Sequence, residues 1–83
     1  MKNCKFKAIG TNLTTKSLEG KILESPHFAF SAKNLCFVDL KNGEEEHTFE
    51  VKLVRFLNGS IILDGFISMP NSNIGRLSLK YLS

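Results

Sequence analysis

Asn58-Gly59 separates two runs rich in strand formers, residues 49–57 and 60–69, and no other feature limits the fold of this chain so sharply. Both residues tolerate positive φ, the condition for a two-residue hairpin loop whose twist matches that of the strands it joins. Such a loop also fixes the register: Val54 falls opposite Leu63, Phe56 opposite Ile61, Leu53 opposite Asp64 and Arg55 opposite Ile62. The first two pairs make one apolar face. Farther from the turn the apolar parity switches to Phe49, Val51 and Leu53, with Phe66 expected opposite Val51. A straight strand would expose one of the two sets, so the sequence predicts a bulge or bend. It is expected at Asp64-Gly65, because a glycine inside a strand pattern marks a corner.

The rest of the chain reads the same way. In residues 3–9, Cys4, Phe6 and Ala8 alternate with Lys5 and Lys7, the period-two pattern of a half-buried strand with its lysines outward. Gly10-Thr11-Asn12 breaks it. Residues 14–24 fit either period: Leu18, Ile22 and Leu23 would share a helical stripe, and Leu18, Gly20 and Ile22 one strand face. A glycine within a helix costs about 1 kcal/mol relative to alanine, which favours strand, with a single helical turn at 14–18 as the alternative. Ser25-Pro26 is expected to end the segment. Phe28 and Phe30 alternate with small residues, residues 35–40 form a further strand, and Asn42-Gly43 turns it back toward His47. Residues 70–73 are a loop, and Leu77, Leu79 and Tyr81 alternate with polar neighbours in a last strand.

Eighty-three residues suffice for one core, so 1–83 reads as a single small β domain. A hydrophobic content of 42% with 23% charged residues disfavours disorder and disulfide-dense scaffolds. The net charge of +3 is a mild excess, less than the dense basic stripe of a dedicated nucleic-acid binder. Charges interrupt the first residues, where a secretory leader needs an unbroken apolar run of about 7–15 residues. The longest apolar runs fall far short of the roughly 20 residues that span a bilayer. The reading is therefore cytoplasmic with no membrane association, and Cys4 and Cys36 are expected to be reduced, small apolar residues.

Cys4, His27, Cys36 and His47 lack the paired spacing that lets one turn grip a metal ion. No metal or other cofactor is expected. His27 lies near Ser25 and Ser31, and Asp39 and Asp64 supply carboxylates, but no nucleophile elbow or glycine-rich phosphate loop accompanies them. The expectation is that the chain is not an enzyme. Glu44-Glu45-Glu46-His47 reads as a solvated strand entry, or as an acidic contact for a basic partner. Phe6 between Lys5 and Lys7 suggests a stacking platform among cations, as in barrels that bind single strands. Alternation, however, sends ring and lysines to opposite faces. Most phenylalanine rings are accordingly expected to point inward.

The glycine-punctuated stretches Gly20-Lys21-Ile22-Leu23 and Ile74-Gly75-Arg76-Leu77 give a strand order that resembles PilZ-type barrels, which bind a cyclic dinucleotide. That family uses an R-x-x-x-R arm and a [D/N]-x-S-x-x-G loop. Here no arginine precedes Arg55, and Leu23 and Phe28 flank Ser25 where the loop needs an acidic or amide residue and a glycine. No ligand residue carries over.

The sequence thus predicts a mainly β fold: a small antiparallel meander of about six strands forming a barrel or half-barrel, with room for one short helix within 12–24. Strands 3–9 and 76–82 would be its edges unless they pair to close it. The last of these, with Leu77, Leu79, Tyr81 and Leu82, is the expected surface for a partner strand. By elimination the function expected is a non-enzymatic protein–protein interaction module, an adaptor or small inhibitor, with a homodimer as one form. The alternative is a small barrel binding nucleic acid or a nucleotide through Lys5, Lys7, Lys52, Arg76 and Lys80. Candidate interaction residues are Arg55, Asp64, Arg76, Lys80, Tyr81, Lys5 and Lys7. Arg55 and Asp64, diagonal neighbours across the main hairpin, are expected to form a cross-strand ion pair or to anchor an interface.

Overall fold

In the computed structural model, which describes residues 2–28 and 37–83, six strands follow one another around a ring. They are β1 (Lys2–Thr11), β2 (Ile22–Phe28), β3 (Phe37–Asn42), β4 (Glu45–Leu57), β5 (Ser60–Ser68) and β6 (Ile74–Tyr81), with one 3-10 turn at Lys16–Leu18. Every pairing is antiparallel between chain neighbours, and β6 returns to β1 to close the barrel. The expected edges at residues 3–9 and 76–82 therefore pair with each other, through Phe6↔Tyr81, Lys7↔Lys80 and Ala8↔Leu79. Leu77 and Leu79 are buried inside the ring, not offered to a partner.

Alternation places the core. Cys4, Phe6 and Ala8 of β1 meet Leu23 of β2, Val38 and Leu40 of β3, Phe49 of β4, Leu63 and Ile67 of β5, and Leu77 and Leu79 of β6. Leu18, from the 3-10 turn, joins the same cluster. Residues 14–24 thus combine both readings: a single turn, then a strand from Ile22. The buried residue of that strand is Leu23, while Ile22 faces out. Pro26 does not end the strand. Between Lys2↔Phe28 and Cys4↔Ser25, β2 carries one residue more than β1, and this bulge accommodates a proline that cannot donate to a ladder. Phe30, Leu35 and Cys36 lie outside the described residues.

The central hairpin forms as its turn dictates. Asn58 and Gly59 have φ of 50° and 80°, and Leu57↔Ser60, Phe56↔Ile61, Arg55↔Ile62, Val54↔Leu63 and Leu53↔Asp64 follow in register. The next pair is Val51↔Gly65, so Lys52 is an extra residue and the bulge sits on β4, opposite the expected corner at Asp64-Gly65. Phe66 consequently faces Glu50 rather than Val51. On β5, Leu63, Gly65 and Ile67 are buried on one parity, and Ile62 is buried on the other, between Arg55 and Lys80. Gly65 is required for a spatial reason: a Cβ there would lie 1.9 Å from the Glu50 carbonyl oxygen.

His47, near the start of β4, has a fully buried side chain with its Nδ1 2.9 Å from the Ser68 carbonyl oxygen. An N–H there donates to that oxygen and ties the start of β4 to the end of β5.

Gly59→Ala meets open space and only the cost of a positive φ, about 1–2 kcal/mol. Gly65→Ala must displace backbone, and its loss should reach about 3 kcal/mol or more. Urea denaturation of the two variants should rank them in that order.

Candidate functional site

The bulge at Lys52 decides which β4 side chains face solvent. Before it, odd positions point inward, as Phe49 does; after it, even positions do, which turns Arg55 outward beside Asp64 of β5. The Arg55 Nε–H donates to Asp64 Oδ2 and Nη2 donates to Oδ1 at 3.2 Å, a two-pronged contact. Ser78 Oγ of β6 donates to the same carboxylate at 2.6 Å. Three strands are thus tied on the outer face. Partial burial pushes the Asp64 carboxyl up, but the hydrogen bonds from Arg55 and Ser78, with the charges of Arg55 and Arg76, outweigh it and hold the group below the usual aspartate range. The same hydrogen bond, donated to Asp64, raises Arg55 above its ordinary value.

Arg76 is anchored from behind. Thr15 Oγ1 donates to the Arg76 carbonyl at 2.7 Å, and Thr15 is itself held by Asn12, whose backbone N–H donates to Thr15 Oγ1 at 3.0 Å. A Cβ at Gly75 would come within 2.4 Å of Thr15 Cγ2, so the turn after β1 packs directly on β6. Between this turn and Asp64 lies a shallow depression lined by Gly10, Thr11, Asn12, Asp64, Arg76 and Ser78.

Of the residues singled out from sequence, Arg55, Asp64 and Arg76 converge here, and Lys52 lines the same outer face while meeting Glu50 at 3.4 Å. Lys7 and Lys80 stand opposite each other on the β1–β6 seam, with Lys5 farther along β1. Tyr81 belongs elsewhere. Its ring packs edge-on against Phe6 at 5.7 Å, and burial, followed by Cys4, raises its hydroxyl pKa. Phe6 is buried and Lys5 and Lys7 are exposed, as alternation requires.

Among the five phenylalanines whose burial is described, fewer are covered than the inward expectation implies. Phe6 and Phe49 are buried, whereas Phe37, Phe56 and Phe66 are 65%, 78% and 36% exposed. Phe37, Glu50, Phe66 and Arg76 form one cross-strand row on the outside of the barrel. Sequence reasoning missed this row because it placed Phe66 opposite Val51. A second apolar surface lies at the tip of the hairpin. Among the described residues β3 pairs with β4 no farther than Phe37↔Glu50, so residues 51–57 have β5 as their described neighbour. Leu53, Val54, Phe56 and Leu57 are all exposed there, on both faces of the ribbon.

Among the described residues no three His, Cys, Asp or Glu side chains come together as metal ligands, and no helix is long and apolar enough to cross a membrane. No protein-family model, curated protein or solved structure matches the chain.

Because the Asp64 pKa is lowered on folding, its contribution to stability is complete above the ordinary aspartate pKa and disappears as pH falls through the lower native value. Asp64→Asn should cost about 1–2 kcal/mol at neutral pH. It should also flatten the acid limb of a stability–pH profile measured by urea denaturation between pH 2 and 7.

Proposed function

We propose that this chain is a non-enzymatic protein-binding module, an adaptor or small inhibitor, that engages its partner through the β4–β5 ribbon. The observation that carries this reading is the exposure of four large apolar residues in five positions: Leu53 at 54%, Val54 at 38%, Phe56 at 78% and Leu57 at 51%. Burying one such side chain is worth about 1.5–3 kcal/mol, so two on each face of the ribbon are together a strong drive to association. Single exposed apolar residues are ordinary on a protein surface; contiguous ones mark interaction sites.

Lys52 and Arg55 border this stretch on the outer face, so a partner segment with acidic residues beside apolar ones would match it. The ladders of the terminal strands are used in closing the ring, which favours the ribbon for this role.

Phe56→Ser combined with Leu57→Ser tests the proposal. Both side chains are exposed, so stability should change by no more than about 0.5 kcal/mol. Sedimentation at micromolar concentration compares self-association of the two forms, and a photo-crosslinking residue at position 56 reports contact with a foreign partner. Loss of self-association or of a specific crosslink in the double variant is the expected result. A strictly monomeric parent with no specific crosslink, or binding indifferent to both changes, would refute it.

A further inference from the structure

Among the described residues, charged side chains on the outside of this barrel follow a rule with one exception. Going around β1, β2, β3 and β4, the cross-strand neighbours are Lys5↔Glu24, Glu24↔Lys41 and Lys41↔Glu46, an alternation of sign at every step. On β4 and β5, Lys52 meets Glu50 and Arg55 meets Asp64. At the seam between β1 and β6 the rule fails, because Lys7 stands directly opposite Lys80. Like charges at facing positions destabilise a sheet. Among the described residues neither lysine has a carboxylate within ion-pair distance, and neither does Arg76, farther along β6. The facing lysines are a cost to the fold that no ion pair of their own offsets.

From it we infer that the β1–β6 seam is a binding track for single-stranded nucleic acid, with Lys7, Lys80 and Arg76 on the phosphates and Phe66 as a stacking platform. Lys80 and Arg76 are four residues apart on one strand, about 13 Å at the usual rise. An extended polyanion can therefore meet the paired lysines and the arginine together. The depression between them exposes Gly10, Thr11, Asn12 and Ser78. Asp64, also at its lining, would repel phosphate, but its carboxylate is held by Arg55 and Ser78.

Phe66 separates a nucleic acid from other polyanions. It is the cross-strand neighbour of Arg76 and partly exposed on the same outer face. A single-stranded binder needs a ring and a cation side by side on one surface. Phe6 with Lys5 and Lys7 fails that condition; Phe66 with Arg76 meets it. This inference stands apart from the proposed protein interface, whose residues lie at the tip of the β4–β5 ribbon.

Fluorescence anisotropy with a labelled twelve-nucleotide thymidine oligomer tests the inference, with heparin as a polyanion that has no bases. Three phosphate contacts predict a logarithmic salt slope of roughly −2, an affinity loss of about 20-fold between 50 and 200 mM salt. Phe66→Ala should weaken the oligomer about tenfold and leave heparin unchanged. Lys80→Glu should weaken both ligands at least tenfold while raising the melting temperature, since it replaces a repulsion with an attraction. Lys7→Ala provides the same comparison if that variant folds poorly, and Lys21→Ala, off the track, should change nothing. No binding at 50 mM salt, oligomer binding indifferent to Phe66→Ala, or a melting temperature lowered in both lysine variants would overturn the inference.

Discussion

The contact between Gly65 and the Glu50 carbonyl is the constraint on which the outer surface depends. A bulged strand bends toward its partner and leaves one residue unpaired, and here the bend brings β4 backbone onto a position of β5 where no Cβ fits. The extra residue, Lys52, reverses the parity of everything after it. Without it Arg55 would turn to the other face with Phe49 and lose Asp64 as its partner. With it, Arg55 faces Asp64, and Asp64 is close enough to Ser78 to link three strands. One inserted residue thus creates the polar cluster and the exposed row that ends in Arg76.

This link was half legible in the chain. The switch from Phe49 and Val51 to Val54 and Phe56 announces a bulge, and Asn58-Gly59 gives the correct partners for residues 53–57. What the pattern does not reveal is which strand carries the extra residue. A glycine can be the bulged residue or the residue that a bulge presses upon, and Gly65 is the second. That ambiguity moved Phe66 by one place and hid its neighbour Arg76. Pro26 illustrates the same difficulty: proline opposes a regular ladder, and β2 continues through it only because a bulge removes the demand on its missing donor. Phe56 takes the inner parity that its pairing with Ile61 gives it, yet it is exposed: parity tells which way a side chain points, not whether anything covers it.

Ring closure redistributes the edges. A six-stranded meander left open would present β1 and β6 to solvent, and the alternation of Leu77, Leu79 and Tyr81 would look like an invitation to a partner strand. Pairing β1 with β6 brings together segments nearly the whole chain apart, a closure whose entropic cost grows slowly with loop length. The reward is a ladder that buries Leu77 and Leu79 against Phe6 and Ala8. The same closure puts Lys7 beside Lys80, two residues that would be far apart in an open sheet. No reading of local periodicity could anticipate that juxtaposition, because it depends on the barrel being shut.

The exposed ribbon would be a liability if it were loose. A two-stranded hairpin in water is marginal by itself, and four exposed apolar side chains would favour collapse onto the barrel or aggregation. Here the ribbon is pinned at its tip by a two-residue turn with both φ values positive, and at its root by Arg55, Asp64 and Ser78, which connect it to β6. Those polar contacts do not need the apolar side chains to be covered. In the proposed protein-binding role, a ribbon held this way would avoid much of the side-chain and loop entropy that association otherwise costs, with stability drawn from the outer polar cluster and affinity from the exposed apolar residues on different side chains of the same hairpin.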